Sequence, residues 1–432
     1  MSNRTGMILA YAVMAVLIAG TGVLQSWNSA LNILNFCLIY AIMSLGVNLQ
    51  WGYAGLFNVG VMGFTALGGL AAVLVAMPPV PEAWNAGGPR ILAGLALGAG
   101  VIIAAMLAWR RLPGRVAGWA TAAILVAGFF AYRAVFDPGV AAVESVNASL
   151  QGYMGGLGLP VLVAWPVGGL LAAGAAWAIG KVALGLRSDY LAIATLGIAE
   201  IVIAIMKAEE WLARGVKNVA GIPRPVPDAV DLQSSPAFVE RAAALGADPV
   251  TASTIAVKLG YSLYFTVVLI VVLILAQLAL NSPWGRMMRA IRDNEVAAEA
   301  MGKDVTARHL QIFVMGCFLV GLAGAMMTTL DGQLTPGSYQ PLRFTFLIWV
   351  MVIVGGSGNN YGAVLGAFLI WFLWVQVEPL GGALIDQVTS VMQDGWLKTR
   401  LIEFSGQMRL LVMGVILLAM MRFAPRGLIP ER

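Results

Sequence analysis

Ionisable and polar side chains are scarce in this chain, so each one inside an apolar run is a candidate for chemistry. Glu200 sits within the run Tyr190–Met206. A carboxylate at membrane depth is costly unless it faces a cavity, a partner helix or a backbone donor. Glu200 therefore belongs either to a solute path or to an interhelix contact. A second concentration is NLQWGYAGLFNVGVMGF (residues 48–64), where Asn48, Gln50, Tyr53 and Asn58 alternate with Gly52, Gly55, Gly60 and Gly63. Helices broken at membrane depth present backbone groups and polar side chains to a cavity, and a small solute can be held there. Asn48, Tyr53, Asn58 and Glu200 are thus the candidate substrate-pathway residues. A third stretch, GGSGNNYGAVLGAF (residues 355–368), opens with a tight turn and spaces Gly358, Gly362 and Gly366 by four. That spacing lines one helix face and lets another helix approach closely.

Other chemistry is poorly represented. The single histidine, His309, ends a charged stretch and reads as a solvated interface residue rather than a general base. Cys37 and Cys317 both lie in apolar runs without a neighbouring ligand, so they read as packing residues and no metal site is expected. Gly180-Lys181 and Gly302-Lys303 lack the upstream glycine and following Ser/Thr of a phosphate-binding loop. The chain itself is expected to bind no ATP or other cofactor. A membrane enzyme is disfavoured by the lack of His, reactive Cys and paired carboxylates in the spans. A proton-relay pump is disfavoured by the scarcity of intramembrane charge.

The elements that would position these residues are membrane helices. The 432 residues are 60% hydrophobic and 11% charged, far too little charge to cover a soluble protein of this size. Apolar runs of about 20 residues, each able to cross a hydrocarbon core, recur throughout. The fold class is therefore all-α, a polytopic integral membrane protein with about 10–12 transmembrane helices. Candidate spans run from Met7–Leu24, read as a retained span, to Leu410–Phe423. They include Ile91–Trp109 and Val116–Phe136, with Phe344–Val354 short and the glycine-rich Leu56–Met77 open to being broken or re-entrant. The net charge of +5 belongs to cytoplasmic loops rather than to nucleic-acid binding. With the N-terminus inside, Arg110, Arg111, Arg115, Lys181, Arg187, Arg422, Arg426 and Arg432 all fall inside, and so does the C-terminus. Residues 207–258 then form an extracytoplasmic loop, with IPRPVPDAVD extended and a short helix started by Ser235 and Pro236 and ended near Gly246. Residues 281–309 form a charged cytoplasmic loop whose good helix formers predict one helix running to Glu299 and stopped by Gly302. That helix is either a connector or a docking element for a soluble partner.

Five stretches carry a family likeness: residues 40–60 (YAIMSLGVNLQWGYAGLFNVG), 188–202 (SDYLAIATLGIAEIV), 282–314 (SPWGRMMRAIRDNEVAAEAMGKDVTARHLQIFV), 321–326 (GLAGAM) and 352–367 (VIVGGSGNNYGAVLGA). Through them the chain resembles the LivM-type permeases of bacterial branched-chain amino acid ABC importers, relatives of the urea-type permeases. The central stretch is similar to the coupling helix of such importers, and the resemblance assigns contact with an ATPase to Glu295, Ala297, Ala298, Glu299 and Gly302. It departs from the usual importer pattern at Val296, and the solute-path stretches depart at Leu56, Val61 and Ile203. The resemblance implies a single permease domain in the bacterial inner membrane. It also implies a homologous second permease subunit, two ABC ATPase subunits that bind ATP and magnesium, and a periplasmic substrate-binding protein. Surrounding membrane lipid completes the setting, and no nucleic acid is involved. A branched-chain or other hydrophobic amino acid is the implied solute, with urea or a short amide as the alternative. A secondary transporter or channel working without an ATPase is the alternative class.

Overall fold

The computed structural model describes residues 3–147, 152–186, 188–390 and 395–431; Arg187 and Arg432 lie outside the described residues. The chain enters through α1 (Asn3–Leu24), α2 (Trp27–Ala54) and α3 (Val61–Ala76). A long pair follows, α4 (Pro81–Arg111) and α5 (Gly114–Ser145), then α6 (Val161–Ala183) and α7 (Ser188–Ala208). Three short helices occupy the next loop, α8 (Glu210–Ala213), α9 (Ala229–Ser234) and α10 (Pro236–Ala244), before α11 (Pro249–Asn281). The charged loop holds α12 (Pro283–Asp293) and α13 (Glu295–Ala300). The chain ends with α14 (Val305–Asp331), α15 (Leu347–Gly355), α16 (Asn360–Ser390), α17 (Trp396–Ser405) and α18 (Met408–Phe423). Among the described residues, nine helices are long and apolar enough to cross a bilayer, and two shorter apolar helices cover 61–76 and 342–355. The protein is an all-α multi-pass membrane protein.

α2 and α14 form the centre, and α14 packs against α2, α3 and α6. Without water between helices, small residues and close contact hold such a centre together. α4 and α5 pack chiefly on each other and leave wide apolar faces exposed. They touch the remainder through a cluster that joins Ala83, Ile91, Phe136 and Val143 to Met154, with the Phe136 ring meeting that of Trp211 edge-on at 5.6 Å.

The two ends of the bundle differ. Met7 and Ile8 of α1, Tyr53 of α2, Arg289 of α12 and Ile429–Glu431 of the tail line one cavity, so both chain ends and the charged loop share a face. The 207–258 loop sits at the other end. There Lys258 Nζ donates to Asn28 O at 3.1 Å, and β1 (Val219–Ala220) pairs antiparallel with β2 (Gln333–Leu334). Within this loop α10 starts at Pro236 and Gly246 adopts φ +67°, although Ser235 makes no side-chain cap bond.

Two local expectations change. The charged loop does not hold one helix to Glu299: Asn294, at φ −157°, breaks it, and its side chain accepts from Ala297 N to start α13. Asparagine competes with the helix for backbone donors and so favours caps over interiors. His309 is buried, because Val305, His309, Ile312, Phe313 and Gly316 form the inward stripe of α14.

Candidate functional site

The glycine-rich stretch is a broken helix. α2 ends at Gly55 (φ +70°), residues 55–60 run without helix, and α3 starts at Val61. Backbone groups freed inside a membrane must find partners, and side chains from other elements provide them. Thr195 of α7 accepts from Val59 N at 3.1 Å, Thr345 from Met62 N at 3.3 Å, and Trp349 Nε1 donates to Asn58 O at 3.0 Å. Asn58 Oδ1 accepts from Gly60 N at 2.9 Å, while its Nδ2 donates to Gln50 Oε1 at 3.0 Å. Gln50 in turn donates to Phe313 O at 2.9 Å and to the buried thiol of Cys317 at 3.2 Å. Trp51, Phe57 and Trp349 close the outer side of the break, with ring centroids 4.6–5.4 Å apart.

Asn58 therefore holds the break in shape. Asn58→Ala leaves Gln50 Oε1 and Gly60 N buried without partners, at a cost of roughly 1–3 kcal/mol for each group. The expected outcome is a lower thermal unfolding midpoint in detergent, with Asn58→Asp losing at least as much, because it sets a buried carboxylate against Gln50 Oε1 in place of the Nδ2 donor.

Asn48, within α2, braces a different turn in the same way. Its Oδ1 accepts from Gly358 N at 2.9 Å and its Nδ2 donates to Asn360 Oδ1 at 3.0 Å. Asn48, Gln50 and Asn58 are all buried, with these bonds made inside the chain. Tyr53 lines the cavity of about 810 Å³ on the face bearing the charged loop. Glu200 is exposed on the outer face of α7 with Ile193, Gly197 and Ile201, next to Ala199, which packs on Gly63 beside the break. The structure thus buries Asn48 and Asn58 in two separate hydrogen-bond sets, places the buried Tyr53 beside Asn360, the partner of Asn48, and leaves Glu200 exposed apart from all three.

The second glycine stretch divides its roles. Gly362 and Gly366 lie on α16 against the backbone of α15. Gly358 is not on that helix face; it lies in the turn ahead of α16 at φ +79°, where a side chain would strike the Glu431 carboxylate. The C-terminal tail runs along this turn, with Leu428 N and Ile429 N donating to Val354 O and Gly355 O at 2.9 and 3.0 Å.

The charged loop carries a buried anchor and an exposed tip. α12 buries Gly285, Met288 and Ile291 against the bundle. Arg292 Nη1 donates to the Gly52 carbonyl and, at 2.8 Å, to Glu431 Oε2, while its Nε donates to Asp293 Oδ1 at 3.1 Å. Beyond this anchor, Glu295, Val296, Ala297, Glu299, Met301 and Gly302 are exposed and Ala298 is half-buried. Val296 and Met301 are 76% and 79% exposed, an apolar display unusual for a charged loop. Arg292 and Glu431 escape sequence reasoning because Glu431 lies 139 residues from Arg292 and carries no local signal.

A family described as the permease component of branched-chain amino acid transport systems matches residues 116–421, well over half of the chain. The chain is 28% identical over 239 residues to the high-affinity branched-chain amino acid transport system permease protein LivM of Escherichia coli (strain K12), covering 54% of each chain. It is 27% identical over 153 residues to the probable branched-chain amino acid transport permease protein LivM of Methanocaldococcus jannaschii, covering 35% of this chain and 41% of that one. It is 29% identical over 97 residues to the ribose import permease protein RbsC of Haemophilus influenzae, covering 22% of this chain and 30% of that one. The chain spans about half the length of the LivM relative from E. coli that it matches. No solved structure matches it.

Proposed function

The chain belongs to the family of permease components of branched-chain amino acid transport systems, and from that premise we propose that it is the membrane-spanning subunit of an ATP-driven importer. The proposed solute is a branched-chain or other hydrophobic amino acid, delivered by a periplasmic binding protein. A homologous second permease completes the path, and two ATPase subunits that hold ATP and magnesium drive it. The proposed location is a bacterial inner membrane, with the charged-loop face and both termini toward the cytoplasm.

The observation that carries this reading is the tip of the charged loop. α13 rests on the bundle through the half-buried Ala298 and exposes the rest of its length, short and rich in alanine, with charged Glu295 and Glu299 flanking Ala297 and Ala298. Small side chains allow a partner surface to approach closely, and the charges set its register. The exposed Val296 and Met301 offer apolar area for the same contact. Glu200 supports a shared path: a carboxylate on the outer face of a membrane helix needs a polar neighbour, and the second permease or the water between the two subunits supplies one.

The test is Glu295→Arg. Reversing a contact charge costs about 1.4 kcal/mol or more, a tenfold loss of binding. ATPase subunits should copurify poorly with the variant, and uptake driven by ATP should fall at least about tenfold. Uphill uptake that persists in the variant, or in membranes without nucleotide, sinks the reading in favour of a transporter that needs no motor.

A further inference from the structure

The segment between β2 and α15 sets an arginine inside the bundle in an unusual way. After a 3-10 turn at Pro336–Ser338, residues Leu342–Phe346 wind as a π-helix. Such turns are rare and frequent at functional sites. The charged residue of this one is Arg343. Its Nε donates to Tyr40 Oη at 3.1 Å. Its guanidinium carbon lies 5.1 Å from the Phe344 ring centre, 5.4 Å from that of Trp371 and 5.9 Å from that of Phe36. Tyr40 and Trp371 stack at 4.5 Å, so the aromatic wall is itself fixed.

A partly buried guanidinium among rings is expensive to keep unless something pairs with it. An arginine has five N–H donors, and among the described residues only the one on Nε is hydrogen-bonded. The flat Nη1–Nη2 edge, whose geometry matches a carboxylate in two parallel hydrogen bonds, is left without a protein partner. Asp331, at the end of α14, is close enough to act on the guanidinium electrostatically but forms no ion pair with it. A guanidinium beside apolar rings, with the exposed Asp331 near but unpaired with it, suits a zwitterion with an apolar side chain better than a simple anion.

We propose that Arg343 takes the carboxylate of the translocated amino acid, with Phe36, Phe344 and Trp371 forming the apolar wall beside it. This rests on the amino-acid transport reading above, and two measurements separate the two. The first is uptake of labelled leucine by cells carrying the whole transporter, with the membrane abundance of each variant measured alongside. Arg343→Gln should lower the maximal rate by roughly ten- to a hundredfold at matched abundance, and Arg343→Lys, which keeps the charge, should recover some of it. Wild-type uptake with an unimpaired Arg343→Gln variant overturns the assignment and leaves the transport reading standing. Absent wild-type uptake of leucine counts against the transport reading instead. The second measurement decides Arg343 without any variant. The purified wild-type transporter is treated with the arginine reagent phenylglyoxal, and modification of Arg343 is read by mass spectrometry. Leucine should suppress it several-fold, while leucinamide, which lacks the carboxylate, should not. Equal protection by both, no protection by leucine, or an Arg343 that never reacts each overturns the proposal.

Discussion

Gly321→Leu is expected to leave little folded protein. Gly321 lies where α14 crosses α3 and α6, and a Cβ placed there would fall 2.6 Å from Gly168 O and would press on Ala172. From the other side, Gly68 rests on the Gly321 backbone, and a Cβ placed on Gly168 would lie 3.1 and 3.2 Å from Gly68 O and Gly321 O. Three helices therefore meet backbone to backbone at one level, with Gly324 against Thr65 one turn on. In lipid the helices gain nothing from excluding water, so this close packing is the main source of their association. A leucine forces all three apart. Overpacking of a rigid core costs about 1–3 kcal/mol and occasionally more, and here no flexible side chain is present to yield. Gly174→Leu on α6 is the matched control, since that position meets no other atoms within 4 Å. The measurement is the monodisperse fraction and unfolding midpoint of both variants in the same detergent. Equal behaviour of the two would show that the glycine crossing does not hold the centre.

The membrane class, the broken helix and the exposed loop are legible in the sequence for a common reason. Each is a local departure from a long apolar background: glycines and amides at 48–63, charges at 281–309. Where those departures lead is not legible. Asn48 and Asn58 look like solute ligands because polar groups in a span need partners. Their partners belong to the chain itself, on elements such as the 358–360 turn, 310 residues away from Asn48, and Phe313 and Cys317 are likewise remote from Gln50. Nothing in the local pattern distinguishes an amide that waits for a solute from one that braces a distant turn. The break at Asn294 stays hidden for the opposite reason: strong helix formers on both sides outweigh one capping residue in a propensity argument. Arg343 is detectable as a charge bordering a short apolar run, but its ring wall is assembled from α2, α16 and its own segment.

On the importer reading proposed above, Arg292→Glu is expected to break the loop's tie to the end of α2 and to the tail without dislodging a partner bound to α13. Arg292 stands two residues before Asn294, outside the exposed tip, and holds the last turn of α2 and the tail at once through Gly52 O and Glu431. Gly52 leads directly into the unwound residues 55–60, so a force applied at α13 reaches the break through this guanidinium. A glutamate at 292 places its charge beside the Gly52 carbonyl and the Glu431 carboxylate, turning two attractions into repulsions. Losing a charge-assisted hydrogen bond costs about 1.5–3 kcal/mol, enough to break the link to Gly52 while Met288 and Ile291 keep α12 seated. In proteoliposomes carrying the whole transporter, ATPase copurification should stay near wild type while uptake per ATP hydrolysed falls about tenfold or more. The double variant Arg292→Glu with Glu431→Arg restores the ion pair but not the bond to Gly52 O, so it should regain only a fraction of the loss. That incomplete rescue distinguishes a mechanical link through α2 from a simple surface ion pair, whose median worth is about 0–1 kcal/mol. Full rescue by the swap would assign the coupling to the tail alone, and wild-type uptake in the single variant would remove Arg292 from the path altogether.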